Sequence, residues 1–174
     1  VTRGRGLSAG RHVVLFDLGY TPVAGTSGGD SIFGGEATDV VYAQGGTDTV
    51  HGDAGDDYAE GGQDADKLFG ESGQDDLAGG SSYVESGTGQ GTAGQLDTGD
   101  TISGGEDADV ITGDNALVTR DAGIPKSRIT RGRFDTDLPG AVPMTHRSIQ
   151  LYDLGDTPVP NTSGGDDITG DNGC

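Results

Sequence analysis

Six aspartates, Asp30, Asp39, Asp48, Asp57, Asp66 and Asp75, fall at a strict interval of nine residues. Two positions after each stands Ile32, Val41, Val50, Ala59, Leu68 or Leu77. Glycines crowd the residues before each Asp, as at Gly34 and Gly35, Gly45 and Gly46, or Gly61 and Gly62. A disordered linker needs no fixed phase between an acid and an aliphatic, so the interval predicts a repeating fold. Side chains alternate along a strand, which turns the residue two after each Asp inward. Two nine-residue halves then make one coil, and residues eighteen apart stack. Asp30, Asp48 and Asp66 line one edge of such a stack, and Asp39, Asp57 and Asp75 the other. The interval returns at Asp100 with Ile102, at Asp109 with Ile111 and at Asp166 with Ile168.

Composition says what must hold such a stack together. Of 174 residues 30% are hydrophobic, 35 are Gly, and the formal net charge is −19. So thin a core offsets little of the entropy of ordering. The charge is also localised. Residues 25–117 carry 20 carboxylates against one base, Lys67, a net of −19, and the rest of the chain is neutral. Acidity confined to the repeat points to cation binding. Adjacent coils lie about 4.8 Å apart, leaving gaps lined by carboxylates and carbonyls, and hard oxygen ligands suit several Ca²⁺ ions.

The pattern resembles the calcium-binding nonapeptide repeats of RTX (hemolysin-type) proteins, G-G-x-G-x-D-x-U-x. That resemblance implies an all-β, right-handed parallel β-roll (a β-solenoid). It also implies that Asp30, Asp39, Asp48, Asp57, Asp66 and Asp75 ligate calcium through their side chains, with turn carbonyls completing each shell. Asp100, Asp109 and Asp166 match the same slot. Ala37, Asp64 and Asp107 replace the Gly two before Asp39, Asp66 and Asp109, which predicts weaker or empty sites there. Val84 stands where the next Asp is due, so the ladder is expected to break at that point and lose a calcium. Counting on in nines, seven residues are inserted before Asp100.

Four regions follow. Residues 1–24 end a preceding β insertion, and 25–117 form the roll, interrupted by a loop over 81–97. Residues 118–160 form a basic antiparallel β-hairpin insertion, and 161–174 begin the next roll. Within the insertion, 117–120 and 128–131 flank a seven-residue turn. The acids Asp53, Asp56, Glu60 and Asp76 lie off phase and read as a solvated rim. Phe33, Tyr42 and Phe69 follow inward aliphatics and should point outward, exposed or covered by the insertion's strands.

A second repeat spans the first. Leu15-Phe16-Asp17-Leu18-Gly19 matches Leu151-Tyr152-Asp153-Leu154-Gly155, and Thr26-Ser27-Gly28-Gly29-Asp30 matches Thr162-Ser163-Gly164-Gly165-Asp166, both at an offset of 136. Repeats on two length scales predict an array. The chain reads as a processed product or an excerpt of something longer, with head-to-tail self-association of its units.

Several classes are excluded or unsupported. No basic surface suits nucleic acid, and the longest apolar run, Val13 to Phe16, is far too short for a membrane span. His12, His51 and His146 show no metal spacing, and no catalytic motif is present, so no enzyme is expected. The lone Cys174 supplies no disulfide framework. The expected function is an extracellular calcium-binding structural module of an adhesin, surface layer or filament shaft, with any cell-surface or matrix ligand unspecified. The alternative is a roll appended to a secreted enzyme, aiding its export and calcium-triggered folding.

Overall fold

The computed structural model describes residues 2–3, 13–14, 25–82, 96–120, 147–152 and 161–171. These residues form strands and turns without a helix. Chain order gives β1 (Thr2–Arg3), β2 (Val13–Val14), β3 (Ser31–Glu36), β4 (Val40–Gly45), β5 (Thr49–Ala54), β6 (Tyr58–Gln63) and β7 (Lys67–Ser72). There follow β8 (Asp76–Ala78), β9 (Thr101–Glu106), β10 (Val110–Thr112), β11 (Ala116–Arg120), β12 (Arg147–Leu151) and β13 (Asp167–Thr169).

Alternate strands belong to alternate sheets, as a nine-residue half-coil requires. One sheet runs β13-β9-β7-β5-β3 and the other β10-β8-β6-β4. Every pairing within both is parallel, so the chain winds as a parallel β-roll.

The inner columns are those the nine-residue phase predicts. Ile32, Val50, Leu68, Ile102 and Ile168 pair in register on one sheet. Val41, Ala59, Leu77 and Ile111 do so on the other. Val50, Ala59, Leu68, Leu77 and Ile102 are buried together with Ala43, and Ile32, Val41 and Ile111 pack against them. The core is one side chain wide on each sheet, too thin to hold the coil unaided.

The roll does not break at Val84. Lys67 pairs with Thr101, so the coil after β8 resumes in register. Stacked residues there are 34 apart where 18 is the rule, which makes the excursion sixteen residues long, not seven. The next excursion separates Asp100 from Asp166 by 66 residues. Both leave the roll at one corner, after the β8 and β10 half-coils. A parallel ladder needs only that the chain return in register, so closing such loops costs little more as they lengthen.

The insertion contributes an antiparallel pair, with Ala116 opposite Leu151 and Arg120 opposite Arg147. The strand beside 116–120 is therefore 147–151; the expected partner, 128–131, lies outside the described residues. A second antiparallel pair joins β1 to β2. Val13–Val14 is the counterpart of Ile149–Gln150 at the 136-residue offset, and both lie in antiparallel pairs.

Candidate metal ladders at the roll edges

All nine predicted aspartates fall into two ladders. The amide of Asp30 donates to Asp48 Oδ1 at 2.6 Å, that of Asp48 to Asp66 Oδ1 at 2.8 Å, and that of Asp66 to Asp100 Oδ1 at 2.8 Å. Asp100 continues to Asp166 Oδ1 at 3.0 Å. On the other edge Asp39 donates to Asp57 Oδ1 and Asp57 to Asp75 Oδ1, both at 2.8 Å, and Asp75 to Asp109 Oδ1 at 2.9 Å. The excursion at 81–97 thus leaves the ladder uninterrupted.

Each carboxylate after the first in its ladder spends Oδ1 on this bond. Oδ2 is buried without a hydrogen-bond partner in Asp39, Asp48, Asp57, Asp66, Asp75, Asp100 and Asp109. These oxygens are aimed at a consistent place. A Cβ added to Gly52 would lie 2.7 Å from Asp57 Oδ2 and 2.8 Å from the Gly70 carbonyl of the next coil. One added to Gly34 would meet Asp39 Oδ2 at 3.3 Å and the Gly52 carbonyl at 2.6 Å. Gly61, Gly70, Gly79 and Gly104 face Asp66, Asp75, Asp100 and Asp109 in the same way. At these positions glycine leaves open the space between the carboxylate and the carbonyl; Ala43, five residues before Asp48, is the exception.

Orphaned buried carboxylate oxygens are costly unless a cation satisfies them. The donors at hand are carboxylate and carbonyl oxygens, which fit Ca²⁺. No three His, Cys, Asp or Glu side chains converge as a metal group among the described residues, so backbone carbonyls must complete any shell.

The protein environment makes the charged form expensive. Burial pushes Asp66 up to about 8, and Asp75 and Asp100 up to about 7. The amide bond from the preceding coil opposes the rise, and neighbouring ladder carboxylates add to it. Asp48, Asp57 and Asp109 are raised chiefly by the same burial, with Arg120 pulling Asp57 down and Arg147 pulling Asp109 down.

The turns with missing glycines keep their shape. Ala37, Asp64 and Asp107 adopt φ of 76°, 71° and 73°, in the left-handed region. Each of the six complete turns has a second such residue two positions earlier, and one of the two is Gly in every case. Ala37 follows Gly35, Asp64 follows Gly62 and Asp107 follows Gly105, whereas Asp53 precedes Gly55. The departures therefore store strain without displacing Asp39, Asp66 or Asp109 from the ladders.

The off-phase acids do not form a uniform solvated rim. Asp76 is fully buried and Glu60 nearly so. Both face outward from β8 and β6, where other groups cover them. Arg120 Nε donates to Asp76 Oδ2 at 2.7 Å, and Arg147 Nε binds Asp76 Oδ1. Glu60 accepts from the hydroxyls of Tyr58 and Ser82 and from the Ser82 amide at 3.0 Å. Arg120 also lies 3.5 Å from Asp56. The strand pair Ala116–Arg120 and Arg147–Leu151 thus packs through its arginines on the roll's own β8.

The two sheets differ in their outer aromatics. Phe33, 65% exposed, stacks on His51 at 4.8 Å, and His51 stacks on Phe69 at 4.9 Å. Phe33 therefore projects outward as expected. Tyr42 packs edge-on against Tyr58, on the insertion's side of the roll.

A family model described as the RTX calcium-binding nonapeptide repeat, in 4 copies, matches residues 24–59, 51–82 and 96–116. No curated protein and no solved structure matches the chain.

Proposed function

Residues 24–82 and 96–116 belong to the RTX calcium-binding nonapeptide repeats, a family that binds several Ca²⁺ ions, and from that premise we propose an extracellular structural module whose folding is gated by calcium. The observation that carries this reading is the run of buried aspartate oxygens without partners along both ladders. Asp48, Asp57, Asp66, Asp75 and Asp100 supply the inner side-chain ligands, with Asp30 and Asp166 at the ends of one ladder and Asp39 and Asp109 at the ends of the other. Without cations the stacked carboxylates repel one another and the thin core does not hold them. With millimolar calcium, as in extracellular surroundings, each ion offsets that repulsion and ties one coil to the next.

The role is mechanical: a stiff segment in an adhesin, surface layer or filament shaft. Its support is the 136-residue offset, which relates the strand start at Asp30 and Ser31 to that at Asp166 and Asp167. Among the described residues β3 and β13 end their sheet with one edge unpaired, which favours head-to-tail continuation with another unit. Circular dichroism with calcium and after EDTA tests the gating. The β signal is expected to collapse on chelation and return with calcium; a signal indifferent to EDTA overturns the reading.

A further inference from the structure

Two chain excursions leave the roll at one corner, and their roots are stitched together. The Ser81 amide donates to Asn115 Oδ1 at 2.9 Å, and Asn115 Nδ2 donates to the Thr162 carbonyl at 2.9 Å. The Asp97 amide donates to the Asn161 carbonyl at 2.9 Å, and the Gly164 amide to Asp114 Oδ1 at 2.9 Å. The departing and returning strands of both excursions therefore meet at Asp97, Asp114 and Asn115. None of these three is a nonapeptide aspartate.

Asp97 is the anomaly within this knot. It is 2% exposed. Its Oδ1 accepts from the Thr98 amide at 2.8 Å, and its Oδ2 has no hydrogen-bond partner. A Cβ built on Gly80 would lie 2.5 Å from Asp97 Oδ2, 2.7 Å from the Asn115 backbone nitrogen and 2.9 Å from Asn115 Oδ1. Two side-chain oxygens of different half-turns thus face one small space that only glycine leaves open. The relation resembles that of Asp57 to Gly52, with Asn115 in place of the next coil's carbonyl, although Asp97 lies three residues before the nonapeptide Asp100. Among the described residues the charges bearing on Asp97 are those of Asp100, Asp114 and Asp166, all carboxylates. A buried carboxylate among carboxylates takes up either a counter-charge or a proton.

We propose that Asp97 and Asn115 hold a further hard divalent cation, of the calcium class, outside the nonapeptide ladders, with Asp114 adding to the attracting field. The ion clamps the roots of both excursions, so that the roll resumes in register after sixteen extra residues and again after the insertion. Ligation by a carboxylate and an amide oxygen suits Ca²⁺ and disfavours softer metals. This inference rests on the calcium reading above.

Native mass spectrometry of the calcium-loaded chain counts the ions, and a calcium titration ranks their affinities. Asp97→Asn preserves shape and removes the charge. It is expected to bind one ion fewer than wild type, while Asp53→Asn, away from the corner, binds the full number. Asp114→Asn is expected to keep the site and weaken it about tenfold, and it decides the matter if Asp97→Asn fails to order in saturating calcium. Wild-type counts and affinities in both corner variants overturn the inference, leaving Asp97 held by a proton. A wild-type chain that binds no calcium overturns the parent reading instead.

Discussion

The amide of Asp66 donates to Asp100 Oδ1 at 2.8 Å across 34 residues, as the amide of Asp48 donates to Asp66 Oδ1 at 2.8 Å across 18. The equality of these bonds means that the ladder ignores what the chain does between coils. Excursions at this corner are insertions into a turn and not into the repeat. A roll of this kind can acquire loops and whole β insertions while its ion sites keep their geometry.

The first prediction concerns that indifference. Replacing residues 83–95 by a short Gly/Ser linker should leave the calcium count unchanged. Loop closure scales slowly with length, so halving the excursion should stabilise the roll by only about 0.6 kcal/mol. Calcium titration followed by thermal unfolding checks both statements. A lost ion would show that the excursion itself shapes the ladder.

A second prediction follows from the turns. Ala37 carries a Cβ at φ 76°, a conformation that costs an L-residue roughly 1–2 kcal/mol. Ala37→Gly relieves that strain but loosens the unfolded chain, so the net gain should be about 1 kcal/mol. Gly55→Ala should do the reverse, because φ there is 144° and the new methyl would meet the Ala37 backbone. Midpoints of thermal unfolding in saturating calcium, read in opposite directions for the two variants, provide the check.

The third prediction is a pH dependence. Asp66, Asp75 and Asp100 have folded pKa values raised to about 8, 7 and 7, well above those of an unfolded chain. A raised value means that folding favours the protonated form. For these groups the ion-free roll is therefore most stable below about pH 4, and this contribution is lost as pH rises through about 7 to 8. Calcium needs the carboxylates deprotonated, so its apparent affinity should rise over the same range. In EDTA the β signal should strengthen on acidification, and with calcium it should persist to higher pH. An ion-free chain equally unfolded at pH 4 and pH 8 would contradict the burial of these carboxylates.

What could be read from the sequence, and what could not, divides along these same lines. The column Ile32–Val50–Leu68 and the ladder of Asp30, Asp48 and Asp66 were legible because local period alone decides them. The persistence of the ladder past Val84 was not legible, because counting in nines cannot see where a loop rejoins. Gly79 and Gly113, 34 residues apart and each opening a split turn, were the available signal. Asp76 and Glu60 read as exposed because their covers, Arg120, Arg147 and Ser82, arrive from outside the repeat. Asp97 escaped notice because it is off phase, and only the folded corner gives its carboxylate a meaning.

The last prediction tests how the insertion is held. Asp76 is fully buried, and the Arg147 side chain beside it is 3% exposed. The Arg120 side chain retains 24% exposure. Removing one partner of a buried pair strands the other, which typically costs 3–5 kcal/mol, or about 4 here. Arg147→Met should therefore destabilise the docked insertion strongly, while Arg120→Met should cost less because Arg120 is partly solvated. The ladder bonds do not involve either arginine, so the calcium count should stay at the wild-type value. Hydrogen exchange separates the two effects: amides of Ala116–Arg120 and Arg147–Leu151 should lose protection in Arg147→Met, and those of Thr49–Ala54 should keep theirs. Equal loss on both sheets would mean that the insertion supports the whole roll instead of resting on one face of it.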